Sequence, residues 1–275
     1  MNGLFITGTG TGIGKTALSA LLLAELRRRG INAAPMKPVQ TGCLRKPEEN
    51  STAGFQISSF KSQVSTLSVP DLDYSLSMTS MTVDPETYAN MAPYRFEPAC
   101  SPHLAAEMAG TEIDIAEIVI AARTLAAEYE FVIAEGAGGI LVPLNRRAAS
   151  EAQIISGGNR AGPGLTMLDL MQAMKLPVII AAHPGLGTIN HTLLSIQALR
   201  SDGLDIAGIV FVASEDSEPG LVEEDNIFTI AQFGKVSVLG TIPYCPHLAE
   251  PNPRYDDLPI PVVAEVEKIV NQLGI

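Results

Sequence analysis

Residues 3–16 read "GLFITGTGTGIGKT", and the fold follows from how this stretch divides. "GLFIT" (3–7) is a short apolar run, "GTGTGIGKT" (8–16) is dense in glycine, and "ALSALLLAELRRRG" (17–30) has the composition of a helix. In the order strand, glycine loop, helix, backbone N–H groups can converge on a phosphate, and the helix N-terminus adds partial positive charge. The spacing is unusual. The common pattern G-x-x-x-x-G-K-[ST] needs glycine at position 9, where Thr9 stands, and Gly8 comes one residue early. Lys15 would reach terminal phosphates, and the Thr16 hydroxyl would ligate Mg²⁺.

Beyond this stretch the chain alternates apolar runs with amphipathic ones. Further strands are expected at 32–36, 131–135, 177–182, 206–212 and 236–240, several apolar at every position, as in strands covered on both faces. Helices are expected at about 15–29, 114–128, 166–175, 188–201, 222–233 and 262–272. The alternation predicts an α/β fold with a doubly wound, mostly parallel sheet and ligands at the carboxyl ends of its strands. Residues 43–70 and 145–165 carry little pattern and read as long loop insertions near that edge, within a single domain spanning 1–275.

Three further motifs supply chemistry. In "MKPVQTG" (36–42), Lys37 ends a strand on the same edge as Lys15, and two cations there suit phosphate plus a second anion. In "FVIAEGAGG" (131–139), a buried strand ends in Glu135, a carboxylate suited to holding Mg²⁺, followed by glycines that admit a ligand close to the backbone. In "PDLDYSL" (70–76), Asp71 and Asp73 stand at the start of a helix as N-caps or as a Mg²⁺ ligand, and the pattern does not separate these readings. The histidines His103, His183, His191 and His247 show no metal spacing and read as structural or substrate-shell residues.

The formal charge of −12 argues against nucleic acid or an anionic membrane as partner. The one basic cluster, Arg27-Arg28-Arg29, ends a predicted helix, where cations suit the dipole. Three widely spaced cysteines, Cys43, Cys100 and Cys245, suggest reduced thiols and a cytoplasmic setting. No apolar run approaches the ~18 residues of a membrane span.

Taken together, five segments resemble the dethiobiotin synthetase family: "FITGTGTGIGKT" (5–16), "KPVQTG" (37–42), "APYRFEPACSPHLAA" (92–106), "EGAGGILVPL" (135–144) and "LPVIIAAHPGLGTINHTLLSIQAL" (176–199). The resemblance implies a homodimer with a parallel sheet of about seven strands of the P-loop NTPase type. It implies ATP-dependent joining of CO2 to 7,8-diaminononanoate through a carbamate and a carbamic–phosphoric anhydride. Lys37, Lys15 and Thr11 would contact phosphate and carbamate. Gly12, Ile13, Gly14, Lys15, Thr16 and Ala17, with Glu135 and Val212, would bind nucleotide. Thr16, Glu135 and one of Asp71 or Asp73 would hold Mg²⁺. Thr41, Ser101, Pro102, Gly138 and Gly139 would line the diamine site, and Asn190 would reach the diamine's carboxylate end across the dimer interface.

The chain departs from the family pattern twice. Gly10 stands where the family carries a mid-loop Asp, and Val212 where it carries an Asn that reads adenine. An apolar side chain cannot hydrogen-bond a base, so relaxed nucleotide selectivity is expected. Two other readings stay open: another ATP-dependent ligase or amidoligase of the same P-loop group, and a nucleotide-binding regulatory dimer with altered catalysis.

Overall fold

The structure, a computed structural model, describes residues 1–45, 67–146, 164–214 and 220–275. Its central sheet joins β1 (Gly3–Gly8), β2 (Ala33–Met36), β7 (Phe131–Glu135), β8 (Val178–Ala182), β9 (Ile206–Val212) and β10 (Val238–Ile242). The order is β10-β9-β8-β1-β7-β2, and every pairing is parallel. Among the described residues the sheet has six strands rather than seven. The segment after Lys37 does not extend it. Instead β3 (Val39–Thr41) pairs in parallel with β6 (Tyr94–Phe96) as a separate ladder. Pro35 lies in β2, an edge strand, where the missing N–H is tolerated.

Each strand sends alternate side chains to opposite faces, the period-two geometry of extended chain. Phe5, Val132, Ala134, Ile180 and Phe211 join one core; Ile6, Ile133, Ile179, Ala181 and Val210 join the other. The first core packs beneath α5 (Ile115–Glu128), α6 (Met167–Met174), α7 (Thr188–Ser201) and α8 (Leu221–Gly234). The second packs beneath α1 (Lys15–Arg28) and α9 (Ile260–Leu273). Helices on both faces explain why the strands read as unbroken apolar runs.

α1 is the most enclosed helix of this second layer. It touches β1, β2 and β7 and is covered by α9 and by α2 (Pro70–Met78). Leu18, Leu21, Leu22, Leu23 and Leu26 are all buried, each contributing about 1.5–3 kcal/mol relative to an exposed site. The arginine cluster does more than complement the helix dipole. Arg28 and Arg29 form ion pairs with the buried Glu25, while Arg27 donates to Ala33 O at 2.8 Å.

Shorter elements include α3 (Pro85–Met91), α4 (Pro102–Met108), and an antiparallel pair of β4 (Leu44–Arg45) with β5 (Leu67–Ser68). The expected loop insertion 43–70 is thus paired at its two roots. Its interior 46–66, and 147–163 of the expected loop 145–165, lie outside the described residues. The last sheet strand falls two residues later than expected, at 238–242 rather than 236–240.

Candidate active site

The glycine loop between β1 and α1 is shaped by two residues with positive φ, Gly12 at 75° and Gly14 at 83°. Gly14 is doubly constrained, because a Cβ there would come within 2.6 Å of Val212 Cγ1. The tight contact brings the end of β9 against the start of α1. Gly10 is different: a Cβ there would meet nothing within 4 Å. Ile13 is buried beneath the loop, and Ala17 is half-buried in the first turn of α1.

Lys15 opens α1 and folds back to donate from Nζ to Gly10 O at 2.6 Å. Burial, and then the charge of Lys37, depress its pKa to about 8, partly opposed by Glu135 and Asp71. Thr16 Oγ1 donates to Glu135 Oε1 at 2.8 Å. The same carboxylate oxygen lies 2.7 Å from Lys37 Nζ, which also pairs with Asp71 Oδ2 at 2.6 Å and donates to Gly136 O at 3.3 Å. Lys37 and Glu135 are each 4 % exposed. Burial opposes the Lys37 ammonium, but Glu135 and Asp71 outweigh it and hold its pKa above the ordinary lysine range. Burial also pushes the Glu135 carboxyl up, against the pull of Lys37.

Glu135 Oε1, Asp71 Oδ2 and Gly136 O therefore already surround a cation, the Lys37 ammonium, and Thr16 Oγ1 touches the same Glu135 oxygen. These are hard oxygen donors, which fit Mg²⁺. No cluster of three or more His, Cys, Asp or Glu able to hold a metal occurs among the described residues. Mg²⁺ is commonly held by one or two carboxylates together with substrate phosphates.

Asp71 and Asp73 part company here. Asp71 faces Lys37, whereas Asp73 accepts from Tyr88 Oη at 2.7 Å and from Val69 N at 3.2 Å. A cavity of about 710 Å³ runs past Asp71. Its lining combines Thr11, Gly12, Gly14, Lys15 and Thr16 of the glycine loop and first turn of α1 with Thr41, Ser101, Pro102 and Gly138. Lys37 and Glu135 sit in its wall. Gly139 packs against the glycine loop, where a Cβ would lie 3.5 Å from Gly8 O.

Six expected site residues do not line this cavity: Ile13, Ala17, Asp73 and Gly139, placed above, and Asn190 and Val212. Asn190 is exposed on the first turn of α7, and the Val212 side chain is buried against Gly14. His183 and His191 line a second cavity of about 520 Å³, together with Thr9, Gly10 and Ser214. Val39, Gln40, Cys100 and Val142 line the main cavity without having been singled out from sequence. All four lie inside the quoted motifs "KPVQTG", "APYRFEPACSPHLAA" and "EGAGGILVPL", but small or neutral side chains carry no chemical signal of their own. Gln40 differs from the others: it is buried, and its Oε1 has no hydrogen-bond partner among the described residues.

A family model described as an AAA domain matches residues 2–159 and 158–252. The chain is 34% identical over 233 residues to the ATP-dependent dethiobiotin synthetase BioD of Lysinibacillus sphaericus (strain C3-41), covering 85% of this chain and 83% of that protein. It is 39% identical over 210 residues to the protein of the same name from Anaeromyxobacter sp. (strain K), covering 76% of each. Among solved structures, the MinD cell division protein of Aquifex aeolicus aligns with a TM-score of 0.57 at 14% identity, over 100% of this chain and 98% of that one. This last likeness shows the fold alone.

Proposed function

The chain belongs to the family of ATP-dependent dethiobiotin synthetases, ligases of biotin biosynthesis, and on that premise we propose how its cavity works. In this reading CO2, ATP and the vicinal diamine 7,8-diaminononanoate meet there, and the product is the ureido ring of dethiobiotin. One amine adds to CO2, losing a proton and forming a carbamate. A carbamate oxygen attacks the γ-phosphorus, ADP departs, and a carbamic–phosphoric anhydride remains. The second amine then attacks the carbamoyl carbon, expels phosphate and closes the ring.

The observation that carries this reading is the position of Lys37. Its ammonium is fixed by Glu135 and Asp71 in the wall of a cavity lined both by the glycine loop and by small and neutral residues such as Thr41, Ser101 and Pro102. Phosphoryl transfer needs positioning and charge neutralisation rather than covalent help from the protein. Lys37 neutralises the carbamate, while Lys15, Thr11 and the N-terminus of α1 hold the phosphates of ATP. Each such preorganised donor can matter by about 3 kcal/mol in the transition state. Thr16, Glu135 and Asp71 would hold Mg²⁺, which when bound neutralises charge on the β- and γ-phosphates. Thr41, Ser101 and Pro102 line the diamine end, with the Gly138–Gly139 backbone close by. Asn190, exposed on α7, would in a homodimer reach the carboxylate end of a diamine held by the partner subunit.

The test is ADP release in the presence of ATP, Mg²⁺ and bicarbonate. The diamine should stimulate it, and monoamines of the same length should not. ADP release that ignores the diamine would contradict the reading.

A further inference from the structure

Asp71 and Asp73 are separated by one residue in the first turn of α2, yet the structure gives them unrelated partners. Val69 is the N-cap residue of α2 and has no side chain able to cap it. Its backbone N–H is bound instead from two sides, donating to Asp73 Oδ2 at 3.2 Å and to Tyr88 Oη at 2.9 Å. Tyr88 Oη in turn donates to Asp73 Oδ1 at 2.7 Å. Both Asp73 oxygens are thereby engaged in closing the start of the helix whose second residue is Asp71.

Tyr88 is itself held. It belongs to α3, and the buried Arg95 of β6 places its guanidinium 5.1 Å from the centre of the Tyr88 ring, while Arg95 Nε donates to Ala92 O at 2.7 Å. The same short helix grips the other half of the ion pair, because Lys37 N donates to Met91 O at 2.7 Å. α3 thus brackets the contact: through Tyr88 it fixes the helix that carries Asp71, and through Met91 it fixes the backbone of Lys37.

We propose that Tyr88, acting through Asp73, is a positioning residue that sets the Asp71 carboxylate at Lys37, and that Asp73 is not itself a ligand of metal or substrate. This rests on the role given above to Asp71. The test uses the full chain and reads Mn²⁺ binding with a non-hydrolysable ATP analogue, beside turnover, in Tyr88→Phe, Asp73→Asn, Asp71→Asn and the Tyr88→Phe/Asp71→Asn double variant. Removing a group that orients a ligand should weaken Mn²⁺ binding about tenfold in Tyr88→Phe and similarly in Asp73→Asn. In the Asp71→Asn background, Tyr88→Phe should have no further effect. A generalised loss of packing would instead weaken binding by the same factor in both backgrounds, and that result overturns the proposal. So does a Tyr88→Phe variant that binds Mn²⁺ normally while Asp73→Asn does not, since Asp73 would then be a ligand. An Asp71→Asn variant with unaltered Mn²⁺ binding also overturns it, because nothing would remain to be positioned. Failure of the wild-type chain to make dethiobiotin is a separate result, which bears on the reaction and leaves the coupling between Tyr88 and Asp71 readable.

Discussion

Lys37 Nζ lies 2.7 Å from Glu135 Oε1, and both side chains are buried at the carboxyl ends of neighbouring parallel strands. With Asp71 on the same ammonium, one cation is held by two carboxylates beside the phosphate loop. Removing one member of such a buried set leaves the others uncompensated.

Lys37→Gln is therefore expected to lower kcat by at least about 10²-fold, the loss typical of a preorganised electrostatic donor. Nucleotide affinity, assigned in this proposal to the glycine loop and Lys15, should change little. Steady-state turnover and calorimetric ADP binding on the same preparation check the two halves. Unchanged turnover would remove Lys37 from the reaction.

Two glycines of one loop should behave in opposite ways. Gly14 combines φ of 83° with a Cβ position 2.6 Å from Val212, so Gly14→Ala should lose about 1–3 kcal/mol of stability and with it nucleotide binding. Gly10 has open space around it, so Gly10→Ala should stay within about 0.5 kcal/mol of wild type. Urea unfolding of both variants decides; equal losses would show that the loop is not built as described.

Glu25 offers a pH-dependent test away from the cavity. Burial raises its pKa, but hydrogen bonds from Arg28, Arg29 and Tyr255 outweigh it and hold the carboxyl below its usual value of 4.5. A carboxylate depressed in the folded state stabilises the fold above its unfolded pKa and loses that contribution as pH falls through the folded one. Glu25→Gln should thus cost about 1–3 kcal/mol at pH 7, and the gap to wild type should narrow below the usual carboxylate value. A gap that is constant from pH 7 down to acid would rule out a charge effect.

Val212 stands where the family carries the Asn that reads adenine. Its side chain is spent on packing against Gly14 and presents no polar group to a base. Values of kcat/KM for ATP, CTP and GTP are expected to fall within about tenfold of one another, since hydrogen-bonded recognition is what yields large discrimination. Strict use of ATP would place base recognition elsewhere on the chain.

Much of this was legible in the sequence, for identifiable reasons. Phe131–Glu135 reads as a strand because both its faces are covered, and Glu135 stands out because a charge ends an apolar run. The glycine loop, Lys15, Thr16 and Lys37 were legible because their chemistry is rare in that context. Asp71 and Asp73 were not separable, because which side of a helix meets Lys37 depends on how α2 lies across α1, a tertiary fact. The β3–β6 ladder was also hidden. Its strands are three residues long, and one of them carries the buried Arg95, whose guanidinium lies over the Tyr88 ring of α3. Val212 was expected at the nucleotide, and only the packing geometry shows its side chain turned onto Gly14.

The most direct measurement of the central claim is the mass of the product formed from ATP, Mg²⁺, 7,8-diaminononanoate and ¹³C-bicarbonate. The account predicts dethiobiotin carrying a single heavy carbon, formed together with ADP and phosphate, and absent with Lys37→Gln. Diamine recovered unchanged under the same conditions would contradict it.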